Sequence, residues 1–243
     1  MLEPWRKGII TKIEQATPTT RRFFITVPEL DVFDFKPGQF VTLDLPIHEQ
    51  KNKRWRSYSI ASAPNGTNTF ELVIVLLQDG LGTTYLFNGA DVGTEMLLRG
   101  PVGVFTMPPV LDKDLYLICT GTGIAPFRSM TNYIHTHKIP HQNIYLIFGC
   151  RTLTDALYKD EMLQLEANEP NFFYQPTFSQ IADVPDGYNT GYVHTVYQKI
   201  LIENNRPTAN FYLCGWKEMI DEAREKLMGL GYEKKDIHFE LYG

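Results

Sequence analysis

The chain has 243 residues, of which 43% are hydrophobic and 21% charged, and its formal net charge at pH 7 is −5. This composition is that of a globular protein and excludes a disordered polymer, a collagen-like repeat and a coiled coil. Because one domain usually takes roughly 100–200 residues, we expect two compact halves or one large barrel. The acidic balance argues against nucleic-acid binding, which needs clustered basic residues to neutralise phosphates.

The sequence predicts no membrane span and no metal site. The N-terminus lacks the apolar segment of a signal peptide, and the longest aliphatic run, residues 72–77, is far shorter than the roughly 20 residues that cross a bilayer. We therefore expect a cytoplasmic protein. The cysteines, Cys119, Cys150 and Cys214, are widely spaced, which argues against a disulfide framework or a zinc site. They are also too few for an ordinary iron–sulfur cluster, which takes four thiolates.

The N-terminal part of the chain consists of short extended segments separated by turn signals such as Lys36-Pro37-Gly38. Many short strands at even spacing are typical of an antiparallel barrel. A short helix is predicted at residues 83–87. The predicted strands are residues 8–13, 22–27, 39–45, 56–61, 70–77 and 95–99.

After Pro108 and Pro109, apolar runs alternate with helix-length stretches. Such alternation predicts a parallel sheet covered on both faces by helices. With a boundary near residues 108–112, the predicted fold is an antiparallel β-barrel domain, residues 1–109, followed by an α/β domain with a parallel sheet, residues 110–243. The predicted strands are residues 115–119, 144–148, 172–176 and 211–214, and the predicted helices are residues 126–136, 155–166, 192–203 and 217–230.

Three segments carry candidate ligand-binding residues. A glycine-rich loop at residues 121–126 lies between a predicted strand and a predicted helix, where unpaired N–H groups and the helix dipole favour a phosphate. Glycine is common in any tight turn, and the spacing is not that of GxGxxG, so a structural role stays open for this loop alone. Arg56 and Tyr58 share one face of a predicted strand and would line one ligand, unless the strand is merely half-buried. Residues 80–86 place glycine and hydroxyl groups at a predicted helix start, which is a second candidate anion site.

Taken in this order, these segments resemble the ferredoxin–NADP⁺ reductase superfamily, flavoenzymes with an FAD-binding barrel followed by a pyridine-nucleotide domain. The resemblance covers nearly the whole chain and implies a bacterial-type reductase. Such an enzyme transfers hydride from NAD(P)H to FAD and then single electrons to ferredoxin or flavodoxin. The family motifs RxYS, GPxG, GTGxAP and CGxxxM match residues 56–59, 100–103, 121–126 and 214–219, and its second flavin segment matches Gly82 and Thr83.

The resemblance implies roles for the flavin-binding residues. Arg56 would bind the FAD pyrophosphate, assisted by Gly82 and Thr83. Tyr58 would stack on the isoalloxazine, and Ser59, a predicted catalytic residue, would lie near flavin N5, which accepts the hydride.

The resemblance also implies roles for residues of the second domain. Cys214 and Glu240, the other two predicted catalytic residues, would lie at the nicotinamide pocket and beside the hydride-transfer site. Tyr242 would cover the flavin face that the nicotinamide must reach. Phe239 is an alternative residue for stacking on the flavin. A further interpretation is that residues 239–242 form only an ordinary edge strand at the end of the sheet. The residues implied for NAD(P) binding include Gly121, Thr122, Gly123 and Cys214.

The choice between NADPH and NADH depends on partners for the adenosine 2′-phosphate. Arg151 and Ser179 match family positions that bind this phosphate, and Tyr192 matches a tyrosine that packs on the adenine. An arginine and a basic residue found in some relatives are replaced here by Gln180 and Thr190. This incomplete set favours NADPH and leaves NADH open.

The electron acceptor is expected to be a separate protein, ferredoxin or flavodoxin, because three scattered cysteines cannot hold a cluster. Such carriers are acidic, so the basic run at residues 51–54, together with Arg6 and Lys7, is the predicted docking segment. The alternative is a solvated loop partly occupied with the FAD phosphates. Two other functions stay open: an NAD(P)H-dependent flavin or quinone reductase, and an electron-transfer subunit that feeds a separate oxygenase. A monomer is expected, although the sequence does not determine the oligomeric state.

Overall fold

A computed structural model describes residues 3–242. These residues divide into two compact units. The first comprises the described residues up to Met107 together with Ala125–Tyr133, and the second comprises Pro108–Ile124 and the residues from Ile134 onward. The outer ends of the two predicted domains, residues 1 and 243, lie outside the described residues.

The first unit is built on a six-stranded antiparallel sheet. Its strands are β1 (Trp5–Thr17), β2 (Thr20–Thr26), β3 (Phe40–Asp44), β4 (Trp55–Ser59), β5 (Thr69–Val75) and β6 (Glu95–Val102). They lie in the order β4-β3-β6-β1-β2-β5. The two edge strands meet, because Ile60 after β4 bridges Leu72 of β5 and the Ala61 N–H donates to the Glu71 carbonyl at 2.8 Å. The sheet thus closes, which confirms the predicted antiparallel barrel.

The barrel is filled by apolar side chains that alternate along each strand, as the period of two in a strand requires. Helix α1 (Leu81–Asn88) closes one side of this core and buries Leu86 and Phe87. The predicted helix at residues 83–87 is therefore confirmed, with two extra residues at its start and one at its end. The largest fully buried apolar side chains of this core include Phe23, Phe70, Ile10, Ile25 and Leu43.

The second unit contains a parallel sheet, as predicted, with six strands where four were predicted and a final edge strand was left open. Its strands are β7 (Asp114–Thr120), β8 (Ile144–Cys150), β9 (Phe172–Phe178), β10 (Asn189–Thr190), β11 (Ala209–Gly215) and β12 (Ile237–Leu241). The order is β10-β9-β8-β7-β11-β12. The chain thus proceeds outward from β7 to β10 and then returns to the other side of β7. In such sheets, ligands bind at the carboxyl ends of the strands where the order reverses, here between β7 and β11.

Four helices connect these strands: α2 (Ile124–Thr136), α3 (Lys159–Asn168), α4 (Val193–Glu203) and α5 (Lys217–Gly229). Helix α3 begins four residues later than predicted. The Thr152 and Asp155 side chains form a capping box, but it closes only a 3₁₀ turn, and Tyr158 then adopts a φ of 55°. This left-handed residue separates the turn from the helix. None of the helices in the described part of the chain is long and apolar enough to span a membrane.

A buried ionic network lies in the first unit. The Glu71 side chain is only 3% exposed, and Arg22 donates to its two carboxylate oxygens at 2.6 and 2.9 Å. Arg128 of α2 donates to Glu71 Oε2 and to the Ala61 carbonyl, both at 3.0 Å. These bonds hold the middle of α2 on the barrel, which explains why residues 125–133 belong to the first unit.

Candidate functional site

Arg56 and the start of helix α1 are in direct contact. A Cβ atom on Gly82 would lie 2.9 Å from Cγ and 3.3 Å from Nε of Arg56, so the glycine is what permits this approach. The guanidinium donates to the carbonyls of Lys53 and Trp55 at 3.0 and 2.8 Å. No carboxylate among residues 3–242 pairs with it. An arginine with no acidic partner, beside a helix N-terminus, fits the diphosphate of FAD.

Backbone N–H groups at the start of α1 complete this arrangement. The N–H of Thr84 is the first to bond within the helix, to the Gly80 carbonyl at 2.8 Å, so the preceding N–H groups have no helical acceptor. The Thr83 hydroxyl donates to the Gly80 carbonyl at 3.0 Å and accepts from the Leu77 N–H at 3.2 Å. The hydroxyl thus fixes the loop before α1. Because both of these bonds occupy the hydroxyl, Thr83 would contact a phosphate through its backbone N–H.

Tyr58 and Ser59 follow Arg56 on strand β4. Tyr58 is half-buried against the barrel core. Burial raises the pKa of its phenol to about 12, and the nearby Arg56 charge opposes this shift. The ring is therefore neutral at physiological pH and suited to stacking. Ser59 is buried and lies opposite Phe40 in the register of β3 and β4.

The glycine-rich loop lies at the position where the strand order of the second unit reverses. Gly121–Gly123 form a 3₁₀ turn between β7 and α2, and Thr122 in the middle of it is partly exposed. A Cβ atom on Gly123 would lie 2.3 Å from the Cys214 carbonyl oxygen. Gly215, at a φ of 153°, has no room for a Cβ either, since one would lie 2.5 Å from Thr120 Oγ1. The loops after β7 and β11 therefore pack so closely that neither glycine can carry a side chain, and we call them the interlocked loops. They lie at the edge of the sheet where a nucleotide is expected to bind.

Cys214, Glu240 and Tyr242 lie together at the same edge of this sheet. Cys214 is opposite Glu240 in the register of β11 and β12, and the Tyr242 N–H donates to the Gly215 carbonyl at 2.9 Å. Burial, and secondarily the Glu240 charge, raise the pKa of the Cys214 thiol well above its usual range, while a hydrogen bond with the Tyr242 side chain opposes the shift. The thiol is therefore neutral.

Phe239 lies on the opposite face of β12 from Glu240, as the alternation of a strand requires. The Arg224 guanidinium carbon lies 4.4 Å from the centre of the Phe239 ring. Phe239 is therefore on the face away from Cys214, whereas the Tyr242 side chain is hydrogen-bonded to Cys214. The role of Tyr242 as the residue that covers the flavin stays a prediction.

The residues predicted to read the 2′-phosphate and the adenine follow neighbouring strands. Arg151 follows β8 and Ser179 follows β9, and the Ser179 N–H donates to the Cys150 carbonyl at 3.0 Å. Tyr192 follows β10 directly before α4 and is 71% exposed. Arg151 is exposed, and no carboxylate in the described part of the chain pairs with it. The topology therefore brings Arg151, Ser179 and Tyr192 to the same edge of the sheet. The Arg151 guanidinium is available there to bind an anion such as the 2′-phosphate.

Trp216, to which the sequence analysis assigns no role, follows Gly215 at the start of α5 and leaves 49% of its surface exposed. It occupies a variable position of the CGxxxM motif, so the motif gave no signal for it. An exposed tryptophan next to a glycine at a strand end is the signal that was available. Within residues 3–242, no group of three or more His, Cys, Asp or Glu side chains is placed to hold a metal ion.

Comparisons with known proteins agree with both parts of this geometry. Residues 7–107 match the family model for the oxidoreductase FAD-binding domain, and residues 117–225 match that for the oxidoreductase NAD-binding domain. The chain is 29% identical over 245 residues to ferredoxin–NADP reductase B of Sorangium cellulosum, covering 99% of this chain and 98% of the relative.

Some of the relatives are longer. The chain is 28% identical to the anthranilate 1,2-dioxygenase electron transfer component of Acinetobacter baylyi, with 89% of this chain aligned to 61% of that protein. Among solved structures, a ferredoxin NADP⁺ reductase from Neisseria gonorrhoeae with bound FAD and NADP superposes with a TM-score of 0.81 at 26% identity and covers 98% of both chains.

Proposed function

Because the chain belongs to the ferredoxin–NADP⁺ reductase superfamily, we propose that it transfers electrons from NAD(P)H through FAD to a separate acceptor protein, ferredoxin or flavodoxin. The chain is an oxidoreductase whose cofactors are FAD and a nicotinamide nucleotide. The observation that carries the proposal is that each unit has its own binding arrangement. Arg56 lies beside Gly82 in the first unit, and the loop of Gly123 interlocks with Cys214 in the second.

The residues of each unit have distinct tasks in this reaction. Bound FAD supplies the redox chemistry, since it accepts a hydride and releases electrons one at a time. Arg56 and the N–H groups of α1 neutralise and orient the pyrophosphate, and Tyr58 offers a neutral ring for stacking. Cys214, a small, polarisable and uncharged side chain, is fully buried and hydrogen-bonded to Tyr242, so it would line the nicotinamide site once Tyr242 moves. We propose Ser59 and Glu240 as the polar groups at the hydride-transfer site.

The second candidate function is an electron-transfer component for an oxygenase, since a 28% identical relative bears that description. A reductase for free flavin or quinone is the third. FAD content after gel filtration distinguishes a free-flavin reductase from the other two candidates, because a reductase for free flavin need not retain FAD. Reduction assays with ferredoxin, flavodoxin and menadione then identify which class of acceptor the protein uses.

Replacing Arg56 with alanine is expected to weaken FAD binding by about 10- to 100-fold, because charge-assisted hydrogen bonds to the pyrophosphate are lost. The measurement is FAD content after gel filtration, together with the dissociation constant from flavin fluorescence. Arg56→Lys, which keeps the charge but not the two-pronged geometry, should fall between the wild type and Arg56→Ala. Full FAD retention by Arg56→Ala would refute the assignment.

Replacing Arg151 with alanine is expected to lower kcat/KM for NADPH about tenfold, because one charged partner of the 2′-phosphate is removed. The value for NADH, which lacks that phosphate, should not change. The matched control is Lys199→Ala, which removes an exposed cation of α4 that pairs with Glu203. Equal losses with NADPH and NADH would contradict the role of Arg151 in nucleotide choice.

A further inference from the structure

Strand β12 forms one outer edge of the parallel sheet, and no other strand in the described part of the chain pairs with its outer side. On its inner side, the Tyr242 N–H donates to the Gly215 carbonyl at 2.9 Å. Because backbone groups alternate in direction along a strand, those of Phe239 and Leu241 point away from β11. The outer side of β12 therefore presents backbone N–H and C=O groups to which another strand can pair.

The two edges of this sheet differ in how well they are protected against further pairing. Natural edge strands are commonly very short, or carry lysine, proline or a bulge. The opposite edge, β10, is only two residues long. Strand β12 has neither lysine nor proline, and its register with β11 is unbroken. Its Phe239 and Leu241 side chains leave 41% and 51% of their surface exposed. These features indicate an edge that another strand covers.

The residues of β12 are complementary to those of a second, antiparallel copy. When two such strands pair about a two-fold axis at Phe239, His238 of each copy lies opposite Glu240 of the other, and Ile237 lies opposite Leu241. Opposite residues share a face of the sheet, with Cβ atoms about 4.5–5.5 Å apart. An imidazole thus faces a carboxylate on each side of the axis. The outward N–H groups of Phe239 and Leu241 then donate to the Phe239 and Ile237 carbonyls of the other copy.

Contacts within each copy hold these side chains in place for such pairing. The His238 ring stacks on Tyr212 of β11, with the ring centres 4.6 Å apart. The Arg224 guanidinium lies over the Phe239 ring and 3.8 Å from Asp221, so the charge that approaches the axis is already paired. Side chains that are ordered before association lose less freedom when the strands meet.

We propose that the outer edge of β12 is the interface of a homodimer, in which two copies pair antiparallel about Phe239 and their parallel sheets join into one. The two-fold axis closes the assembly, because each copy uses the same edge. This inference is independent of the proposed electron transfer, and it replaces the monomer expected from the sequence. Pairing through the five residues of β12 is small against the roughly 20–30 residues a side of a standard interface, so the dimer should be weak.

The test is sedimentation velocity of the FAD-loaded protein at about 1 to 100 µM, the range that suits a small interface. The wild-type sedimentation coefficient should rise with concentration towards that of a dimer. Phe239→Lys places two like charges at the axis, and His238→Glu places a carboxylate opposite Glu240, so both variants should stay monomeric. The matched control, Ile202→Lys, adds the same charge at an exposed apolar position of α4 and should dimerise as the wild type does.

The charge-swapped variant His238→Glu/Glu240→His tests the pairing itself. It has the same formal charge as the wild type and again places a histidine opposite each glutamate, so the dimer should return. Amide hydrogen exchange gives a second measurement. The Phe239 and Leu241 amides should exchange about tenfold faster when the wild type is diluted to the monomer, because their N–H groups lose the partner strand.

A wild-type protein that stays monomeric over this range would overturn the proposal. Dimers that form equally well in Phe239→Lys and His238→Glu would also overturn it, since the interface then lies elsewhere. A charge-swapped variant that stays monomeric would contradict the antiparallel pairing about Phe239. A monomeric wild type whose KM for ferredoxin rises in Phe239→Lys, but not in Ile202→Lys, would show that the edge serves an acceptor protein and not a second copy.

Discussion

Replacing Glu71 with alanine is expected to lower the free energy of unfolding by about 3–5 kcal/mol, because two arginines then lose their buried counter-charge. Arg22 and Arg128 both donate to this carboxylate, and its side chain is only 3% exposed. Little water reaches the site to replace the lost acceptor, so the cost exceeds that of an exposed ion pair. The measurement is urea denaturation of each variant followed by circular dichroism.

The matched control for Glu71 is Glu14, which also accepts from Arg22, at 2.8 Å, but is 33% exposed. Its replacement by alanine should cost less than about 1 kcal/mol, the usual value of a solvent-accessible pair. Glu71→Gln keeps the shape and one acceptor oxygen and should fall between the two. Equal stability of the Glu71→Ala and Glu14→Ala variants would show that the network does not hold α2 on the barrel.

Replacing Gly123 with alanine is expected to reduce the rate of flavin reduction by NADPH about 100-fold, since a displacement near 1 Å in a reacting site has an effect of that size. The added Cβ would lie 2.3 Å from the Cys214 carbonyl oxygen, so either the glycine-rich loop or the end of β11 must move. Both elements are backbone, and neither can rotate away as a side chain would. Stopped-flow absorbance of the flavin measures the rate.

The control for Gly123 is Gly229→Ala at the end of α5, where an added Cβ meets no atom within 4 Å. This change should leave the rate unaltered, and alanine is the better helix former at that position. FAD content should be unchanged in both variants because Arg56 and Gly82 lie in the other unit. A normal reduction rate in Gly123→Ala would exclude the interlocked loops as the nucleotide site.

The strand and helix pattern of this protein could be predicted because periodicity and turn residues act locally. The exceptions have physical causes. Strand β10 escaped prediction because it is only two residues long, and α3 began late because Tyr158 adopts a left-handed conformation after a capping box. Neither feature has a hydrophobic period that a sequence pattern could display.

The motifs predicted the candidate site residues, whose roles stay predictions, but not the side-chain partners that the structure gives them. Glu71 meets Arg22 and Arg128 across 49 and 57 residues of sequence, and no local pattern encodes such a pairing. The pairing of Arg54 with Asp44 likewise removed a cation from the predicted docking segment. Strand register, which the sequence did not supply, places Glu240 opposite Cys214 and thus Phe239 on the other face of the sheet.

The most direct test is anaerobic titration of the purified, FAD-loaded protein with NADPH and, separately, with NADH, followed by the visible absorbance of the flavin. If the first unit holds FAD and the second delivers a nucleotide that reduces it, the yellow colour should bleach on addition of an equimolar amount of at least one nucleotide. A protein that binds FAD but is bleached by neither nucleotide, or one that cannot be loaded with FAD at all, would contradict this function.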